Sequence, residues 1–322
     1  MIKIFAFKIK NVYNYSALFT HVNAMNKNLK KTLKQFSSIS LEQLNSSVSF
    51  LDRIDIKYLI HENELAEILE KFKEHFYVLE IWWHTIFTYD NVYMDTKNLH
   101  FYYQHQNQED NRMKVRSRLY TESNYSFFEC KQKSWKTTRK FRFQQQEVNH
   151  WLLYNEIIWF HNGVYQTLYG KEQKDLIFPS LKTKYHRITL CSKNNDERVT
   201  IDFNLHFEDL RVHNNNRIKK NSKSWVWNTY DIENLVMIES KSMNTHCISH
   251  DIMSTFNKPT AKACSKYCLW LYYFEKVKER STFQDTINSI EKIRRSGDNQ
   301  SQELKETIIK SLPLYEKQIM KV

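Results

Sequence analysis

The stretch RMKVRSRLY, residues 112–120, decides the fold because basic and apolar side chains alternate along it. Successive residues of a β-strand point to opposite faces of a sheet, so this period of two predicts a strand. Lys114, Arg116 and Arg118 share one face of that strand, and Val115 lies among the apolar residues of the other face. A strand of this kind separates a basic surface from an apolar one.

The same alternation, or a high content of β-branched and aromatic residues, recurs along the chain and predicts eight strands. The predicted strands span residues 51–60, 91–96, 112–121, 125–133, 136–144, 182–191, 197–207 and 235–242. Helical periodicity predicts helices at 62–76, 145–161 and 260–278. Successive strands with helices inserted between them predict an α+β fold with an antiparallel sheet. The pattern favours closure of that sheet into a barrel without deciding it.

Changes in composition along the chain predict the domain boundaries. Residues 1–46 are expected to form a polar extension and 47–278 the domain that contains the sheet. Residues 279–322 are expected to form a polar helical tail that packs weakly, or a partly disordered tail. The polar segment 211–230 predicts a long loop. Several tryptophans are expected to lie in the core or to dock helices. They are Trp82, Trp83, Trp151, Trp159 and Trp270.

The composition also limits the class of function. The chain has 322 residues and a formal net charge of +12, with a pI near 9.2, which predicts an anionic partner such as nucleic acid, a phosphorylated ligand or a membrane surface. Only three glycines and three prolines are present, and neither GxxxxGK[ST] nor GxGxxG occurs. A P-loop and a dinucleotide-binding glycine loop are therefore excluded.

Cysteine usage and hydropathy predict an intracellular location. The five cysteines are scattered and form no CxxC motif, which is typical of free thiols in a reducing compartment. The first ten residues, MIKIFAFKIK, lack the continuous apolar segment of a signal peptide. No uncharged apolar run approaches the roughly 18 residues that a membrane helix needs. We therefore expect a cytoplasmic protein.

Basic residues on several predicted strands share a face with single acidic residues. Like charges on neighbouring strands repel each other, so a face rich in Arg and Lys predicts a bound anion. The planar guanidinium group binds phosphate oxygens through two parallel hydrogen bonds. The acids expected on these faces are Glu129, Asp202 and Glu239, and their carboxylates are ligands of the kind that Mg²⁺ or Mn²⁺ prefers.

Read in order, nine motifs spread over residues 50–272 resemble those of a known family. The motifs are RIDIKYLI with Arg53 and Lys57, VYMDT with Asp95, MKVRSRLY, FFECKQK, TTRKFRF, KYHRITL, ERVTIDFNL, LVMIESKSM and KPTAKACSKYCLWL. Each motif is weak alone, and their order and number make the match specific. Together they resemble the polyphosphate polymerase domain of the VTC (vacuolar transporter chaperone) type, one of the triphosphate tunnel metalloenzymes.

The resemblance implies an eight-stranded antiparallel tunnel, a closed barrel, with helices packed on the outside. It also implies transfer of the γ-phosphoryl group of ATP to a growing polyphosphate chain, with a divalent metal, Mn²⁺ or Mg²⁺, as cofactor. The catalytic residues expected to bind phosphates are Lys57, Arg116, Arg118, Lys131, Lys140, Arg187, Arg198 and Lys266. Further substrate-binding residues are expected to be Arg53, Lys114, Arg142, Lys241, Lys262 and Ser265. Glu239 is expected to be the main metal ligand, joined by Glu129 and Asp202.

Two features depart from the family pattern. The closing motif of the family reads basic-aromatic-Ser-Lys, whereas here Ala263 and Cys264 precede Ser265, and Lys262 is displaced by one position. On a helix, Lys262 and Lys266 would still share one face. Eukaryotic members carry membrane segments that export the polymer. Export of the polymer by this chain would need a separate membrane protein as partner, which would hold the chain at the inner face of a membrane.

Two other classes of function remain open from the sequence. A triphosphatase on the same tunnel would use the same cations and metal, with water as the attacking group, because a fold does not fix the reaction. A module that binds polyphosphate or RNA without catalysis would use the same basic surface. No RNA-binding motif occurs, so we expect ATP and polyphosphate as partners, and no nucleic acid.

Overall fold

The structure, a computed structural model, describes residues 28–47, 54–135, 137–145, 154–173, 175–211, 228–232, 234–244, 246–262, 264–275 and 282–296. Within these residues the strands are β1 (Ser38–Ile39), β2 (Ile54–His61), β3 (Phe76–Leu79), β4 (Phe87–Thr96), β5 (Asn111–Tyr120), β6 (Tyr125–Ser134), β7 (Thr137–Gln145), β8 (Ile177–Ser192), β9 (Glu197–Asp209), β10 (Asn228–Ile232) and β11 (Leu235–Ser242). The helices are α1 (28–33), α2 (Leu41–Ser47), α3 (Leu65–His75), α4 (His100–Gln106), α5 (Tyr154–Tyr169), α6 (Ile248–Thr255), α7 (Lys266–Glu275) and α8 (284–296). Arg53 and Trp151 lie outside the described residues.

All the strands belong to one sheet. Its main path contains eight antiparallel strands in the order β2-β11-β9-β8-β4-β5-β6-β7. These eight correspond to the eight predicted strands, so the α+β class and the antiparallel sheet are confirmed. The short strands β3 and β10 pair with β8 and β9, and β1 pairs in parallel with β3.

The predicted closed barrel is wrong. In the part of the chain that the structure describes, β2 and β7 end the path and do not pair with each other. Closure depends on the tilt and stagger of strands, which alternation of side chains does not encode.

The open sheet is nevertheless strongly curved. Lys131 on β6 lies within electrostatic range of Asp55 on β2 and Glu239 on β11. In a flat sheet the six strand spacings from β2 to β6 would place Asp55 and Lys131 about 29 Å apart. The two ends of the sheet therefore face each other across a concave surface, which we call the inner face.

The opposite, convex surface packs against helices, as the apolar strand faces predict. Tyr58, Val199 and Ile201 form one core with Phe72 of α3 and Leu33 of α1. A second core joins the apolar residues of β5 and β6 to α5. These two cores orient the strands, so the charged residues that alternate with them point to the inner face.

Helix α7 lies on the inner face instead of on the outside. Its Tyr267 and Trp270 are buried with Tyr93 and Tyr185, residues of the inner face. Helix α8, within the predicted tail, contributes Ile290, which is 1% exposed, to the same core. The weak packing predicted for residues 279–322 therefore does not hold for α8. No helix among the described residues is both long and apolar enough to cross a membrane.

Strand β9 changes faces partway along its length. The sequence pattern predicts Leu205 on the face of Val199, but Leu205 packs in the inner-face core. Asn204, with φ of 52°, lies where the pairing register between β8 and β9 shifts, so one extra residue reverses the alternation. Because Asp202 precedes this irregularity, it stays directly opposite Arg187 on the inner face.

Candidate functional site

A buried carboxylate on β6 collects basic side chains from three strands. Arg116 of β5 contacts Glu129 at 2.6 Å and Lys140 of β7 contacts it at 2.7 Å. Arg142 and Arg118 lie 3.3 and 3.7 Å from the same carboxylate. Burial alone would raise the pKa of Glu129, but these cations hold it far below the usual range. One negative charge therefore faces four positive ones, which leaves a net positive site.

A second carboxylate is held between β8 and α7. Arg187 donates two hydrogen bonds to Asp202, at 2.5 and 2.7 Å, and Lys266 contacts the same group at 2.5 Å. Burial would raise the pKa of Asp202, yet Arg187 and Lys266 lower it to about 2. Asp202 is thus ionised at neutral pH and fixes both basic side chains on the inner face.

The third carboxylate, Glu239, lies between two lysines. Lys57 of β2 and Lys241 of β11 each contact one of its oxygens at 2.5 Å. Burial favours the neutral acid, but Lys241 and Lys57 together lower the pKa of Glu239 well below its usual value. Glu239 remains 24% exposed, whereas Glu129 and Asp202 are only 2% and 3% exposed. It is the most accessible of the three predicted metal ligands.

Three lysines lie side by side across β5, β6 and β7. Lys114 is directly opposite Lys131, and Lys131 is directly opposite Lys140. Among the described residues, only Lys140 of these three has a carboxylate within salt-bridge distance. Burial and the neighbouring Lys114 lower the pKa of Lys131 to about 8. Like charges in direct opposition destabilise a sheet, so this row favours a bound anion.

Aromatic rings orient the arginines, a feature that the sequence analysis missed. The guanidinium of Arg187 lies 4.7 Å from the ring centre of Tyr89, and that of Arg142 lies 3.7 Å from Phe127. Arg116 donates a hydrogen bond to the hydroxyl of Tyr93 at 3.1 Å. Tyr89 and Tyr93 lie an even number of residues apart on β4, so the same period of two that predicted the charged faces also places these two rings on one face.

Buried polar residues fix Arg118 as well. Its Nε donates to Asn91 at 2.8 Å, and the Asn91 amide donates to the Thr183 hydroxyl at 3.1 Å. Asn91 and Thr183 are fully buried. A guanidinium group whose Nε is held by such a buried partner needs little reordering when it binds an anion.

The structure does not bring every predicted residue to this cluster. Arg198 shares the inner face but donates to the main-chain oxygen of Leu44 in α2 at 2.8 Å. Lys262 is exposed and precedes α7, so it cannot share a helical face with Lys266 as expected. Ser265 accepts a hydrogen bond from the Cys268 amide at 3.5 Å, as the N-terminal cap of α7.

The three carboxylates occupy separate ion-pair groups. In the described part of the chain, no three His, Cys, Asp or Glu side chains lie close enough to hold a metal ion. A fully protein-coordinated cation therefore does not fit. Mg²⁺ commonly binds through one or two carboxylates plus substrate phosphates, and the accessible Glu239 fits that arrangement.

Comparisons with solved structures give only distant likenesses. The PH1819 protein from Pyrococcus horikoshii is 13% identical, with a TM-score of 0.35 over 69% of this chain and 99% of that one. A candidate adenylate cyclase from Bacillus halodurans is 10% identical, with a TM-score of 0.37 over 67% of this chain and 95% of that one. TM-scores this low do not bear on function. A search of curated protein sequences found no match.

The sequence comparison with protein families gives a clear result. The VTC domain matches residues 52–273, which is most of the chain. The matched segment contains every strand of the main sheet path and all three carboxylate groups described above. The chain belongs to the VTC domain family.

Proposed function

We propose that the protein is a polyphosphate polymerase that transfers the γ-phosphoryl group of ATP to the end of a growing polyphosphate chain. The observation that supports this proposal best is the concentration of basic side chains on one concave face. Cations from β2, β5, β6, β7, β8, β11 and α7 lie on it, paired with only a few carboxylates. A linear polyanion with one charge per unit suits such a surface better than a compact ligand does.

Phosphoryl transfer depends mainly on positioning and on neutralising charge. In the proposed reaction, Arg116, Arg118 and Arg187 hold the triphosphate of ATP in the orientations that their ring and amide partners fix. The row of Lys114, Lys131 and Lys140 binds the acceptor chain. An oxygen of the anionic terminal phosphate of that chain attacks the γ-phosphorus, the bond from this phosphorus to the bridging oxygen of the β-phosphate breaks, and ADP leaves. Because the attacking oxygen is already anionic, no general base is required.

The metal requirement follows from Glu239. This carboxylate would hold Mn²⁺ or Mg²⁺ together with phosphate oxygens, and the cation would supply further charge neutralisation at the reacting phosphate. Lys57 and Lys241 keep Glu239 ionised at neutral pH. The proposed partners are therefore ATP, polyphosphate and a divalent cation, with a membrane protein as partner where the polymer is exported.

The test is incubation of the purified full chain with ATP and Mn²⁺ or Mg²⁺, followed by a gel stained for polyphosphate and an assay for ADP. A polymerase gives long polymer and one ADP per phosphate added. Free phosphate without polymer would identify a triphosphatase, and tripolyphosphate binding without ATP consumption would identify a binding module.

Substitution of the site residues tests the assignment within that assay. Arg116→Ala and Glu239→Ala are each expected to lower turnover by about 10²–10³-fold, as for other lost electrostatic stabilisers. Lys97→Ala is the matched control, because Lys97 is an exposed base in the turn after β4. Wild-type rates in both site variants would show that the inner face is not the active site.

A further inference from the structure

Asp95 is a fully buried carboxylate that belongs to none of the three ion-pair groups. It is the second-last residue of β4, and among the described residues no Lys or Arg lies within salt-bridge distance of it. Its partners are the main-chain amides of Thr96, Phe101 and Tyr102, at 2.7 to 2.9 Å, and the hydroxyl of Tyr267. A charge buried in this way is costly unless every hydrogen bond is made, so each donor matters.

Two of those amides belong to the first turn of α4. Leu99, the residue before the helix, has φ of 54° and offers no side-chain cap. Asp95 therefore supplies the cap from the preceding strand, and the helix N-terminus stabilises its charge. The cap accounts for two of the hydrogen bonds of Asp95, and the amide of the next residue, Thr96, supplies a third. The contact with Tyr267, which comes from a distant helix, remains to be explained.

Tyr267 directly follows Lys266, the phosphate-site lysine that contacts Asp202. Lys266 is the first residue of α7, where the helix dipole disfavours a positive charge. Asp202 holds the ammonium group of Lys266, and the position of the helix end that carries this lysine depends on further contacts. Tyr267 is 1% exposed and stacks on Tyr93 with ring centres 5.0 Å apart. Its hydroxyl donates a hydrogen bond to Asp95.

We propose that Asp95 and Tyr267 are positioning residues that hold Lys266 in the phosphate site. This inference rests on the proposed function for the role of Lys266. The hydroxyl of Tyr267 anchors the first turn of α7 to the end of β4, and the ring of Tyr267 sets the depth of that turn against Tyr93. Neither residue touches the substrate, so both act through the ammonium group of Lys266.

The test is a double-mutant cycle with Tyr267→Phe, which keeps the stacked ring and removes only the hydroxyl, and Lys266→Ala. Tyr267→Phe is expected to lower ATP turnover and tripolyphosphate affinity by roughly ten- to hundredfold in the wild-type background, since misplaced catalytic groups cost that much. In the Lys266→Ala background it should change neither quantity, because the residue that it positions is gone. Equal losses in both backgrounds would overturn the proposal.

Tyr58→Phe is the matched control for a general loss of stability. Tyr58 is also fully buried and loses one hydrogen bond, to His250 at 2.7 Å, but it lies in the convex core. It should lower the melting temperature without lowering turnover. A loss of turnover as large as that of Tyr267→Phe would show that the effect is structural, which contradicts positioning.

The two proposals fail in different ways. If the wild-type chain consumes no ATP, the polymerase proposal fails. The double-mutant cycle is then measured by tripolyphosphate affinity alone, and the positioning role still requires that Tyr267→Phe weakens binding only when Lys266 is present. If Tyr267→Phe does not fold, Asp95→Asn replaces it, because its one amide oxygen still accepts from Thr96 and Phe101 while its amide nitrogen cannot accept from Tyr267. Losses that persist unchanged without Lys266 again overturn the positioning role.

Discussion

Lys131 lies opposite a lysine on each neighbouring strand, and burial together with Lys114 lowers its pKa to about 8. Its value in the unfolded chain is near 10.5. The folded protein therefore binds fewer protons than the unfolded chain between these two values. Below pH 8 both states carry the charge, and burying it lowers the free energy of unfolding by its full amount. This destabilisation decreases as the pH rises from 8 towards 10.5, because the folded protein then loses the proton. A residue that weakens the fold at neutral pH is typical of a binding site.

Lys131→Met is accordingly expected to raise the melting temperature at pH 7 while weakening tripolyphosphate binding. The increase in melting temperature should become smaller as pH rises from 8 towards 10.5, because Lys131 of the folded wild-type protein then loses its proton. Differential scanning calorimetry across this range measures it. Lys97→Met, at an exposed position, is the control and should leave both quantities unchanged. A lower melting temperature for Lys131→Met at pH 7 would show that the lysine stabilises the fold.

At the scale of elements, periodicity located the strands well and the helices less well. The predicted strand 235–242 coincides with β11, where residues 235–238 pack alternately in the inner-face core and in the convex core. The helix predicted at 145–161 is instead α5, which ends at Tyr169 before Gly170. Gly170 has φ of 65° and closes the last turn, a signal that the sequence offered. The first three residues of the short β10 lie within the predicted loop 211–230, since a five-residue edge strand carries little pattern.

The turn after β3 contradicts a second expectation. Trp82 and Trp83, predicted to lie in the core or to dock helices, are 66% and 92% exposed. Both have positive φ, and Ile81 and His84 exchange main-chain hydrogen bonds around them, as in a tight hairpin turn. Trp159, on α5, is 71% exposed as well, whereas Trp270 is buried as predicted. Alternation indicates which side chains share a face, but it does not reveal a two-residue turn without Gly or Asn.

Replacing Trp82 by Asn and Trp83 by Gly is expected to stabilise the protein by about 1–2 kcal/mol. Asn and Gly adopt positive φ readily, whereas bulky residues there are strained. Urea unfolding of the double variant measures the change in free energy. Gly170→Ala is the control, because it makes the opposite change and adds a side chain at a residue with φ of 65°. It should lower the free energy of unfolding. A less stable Trp variant would mean that the exposed rings pack on the fold.

At the scale of the whole molecule, curvature determines which charges act together. Alternation showed which residues of a strand share a face, so it predicted Arg116, Asp202 and Glu239 on the charged faces of their strands, whereas Arg187 was expected from the family resemblance. It did not show how far the sheet bends, whether β2 and β7 pair, or that α7 lies on the inner face. Those properties depend on strand twist, stagger and helix packing, which involve residues far apart in the chain.

The curvature can be tested through a charge pair that spans the sheet. Asp55 on β2 raises the pKa of Lys131 on β6, six strands away along the sheet path. Asp55→Asn is therefore expected to lower the pKa of Lys131 further below 8, which NMR titration of the protein with ¹³C-methylated lysines would measure. Glu109→Gln, an exposed acid in the turn before β5, is the control and should leave this pKa unchanged. In a flat sheet the two charges would be too distant and too well screened to interact, so an unchanged Lys131 pKa in Asp55→Asn would exclude the concave inner face.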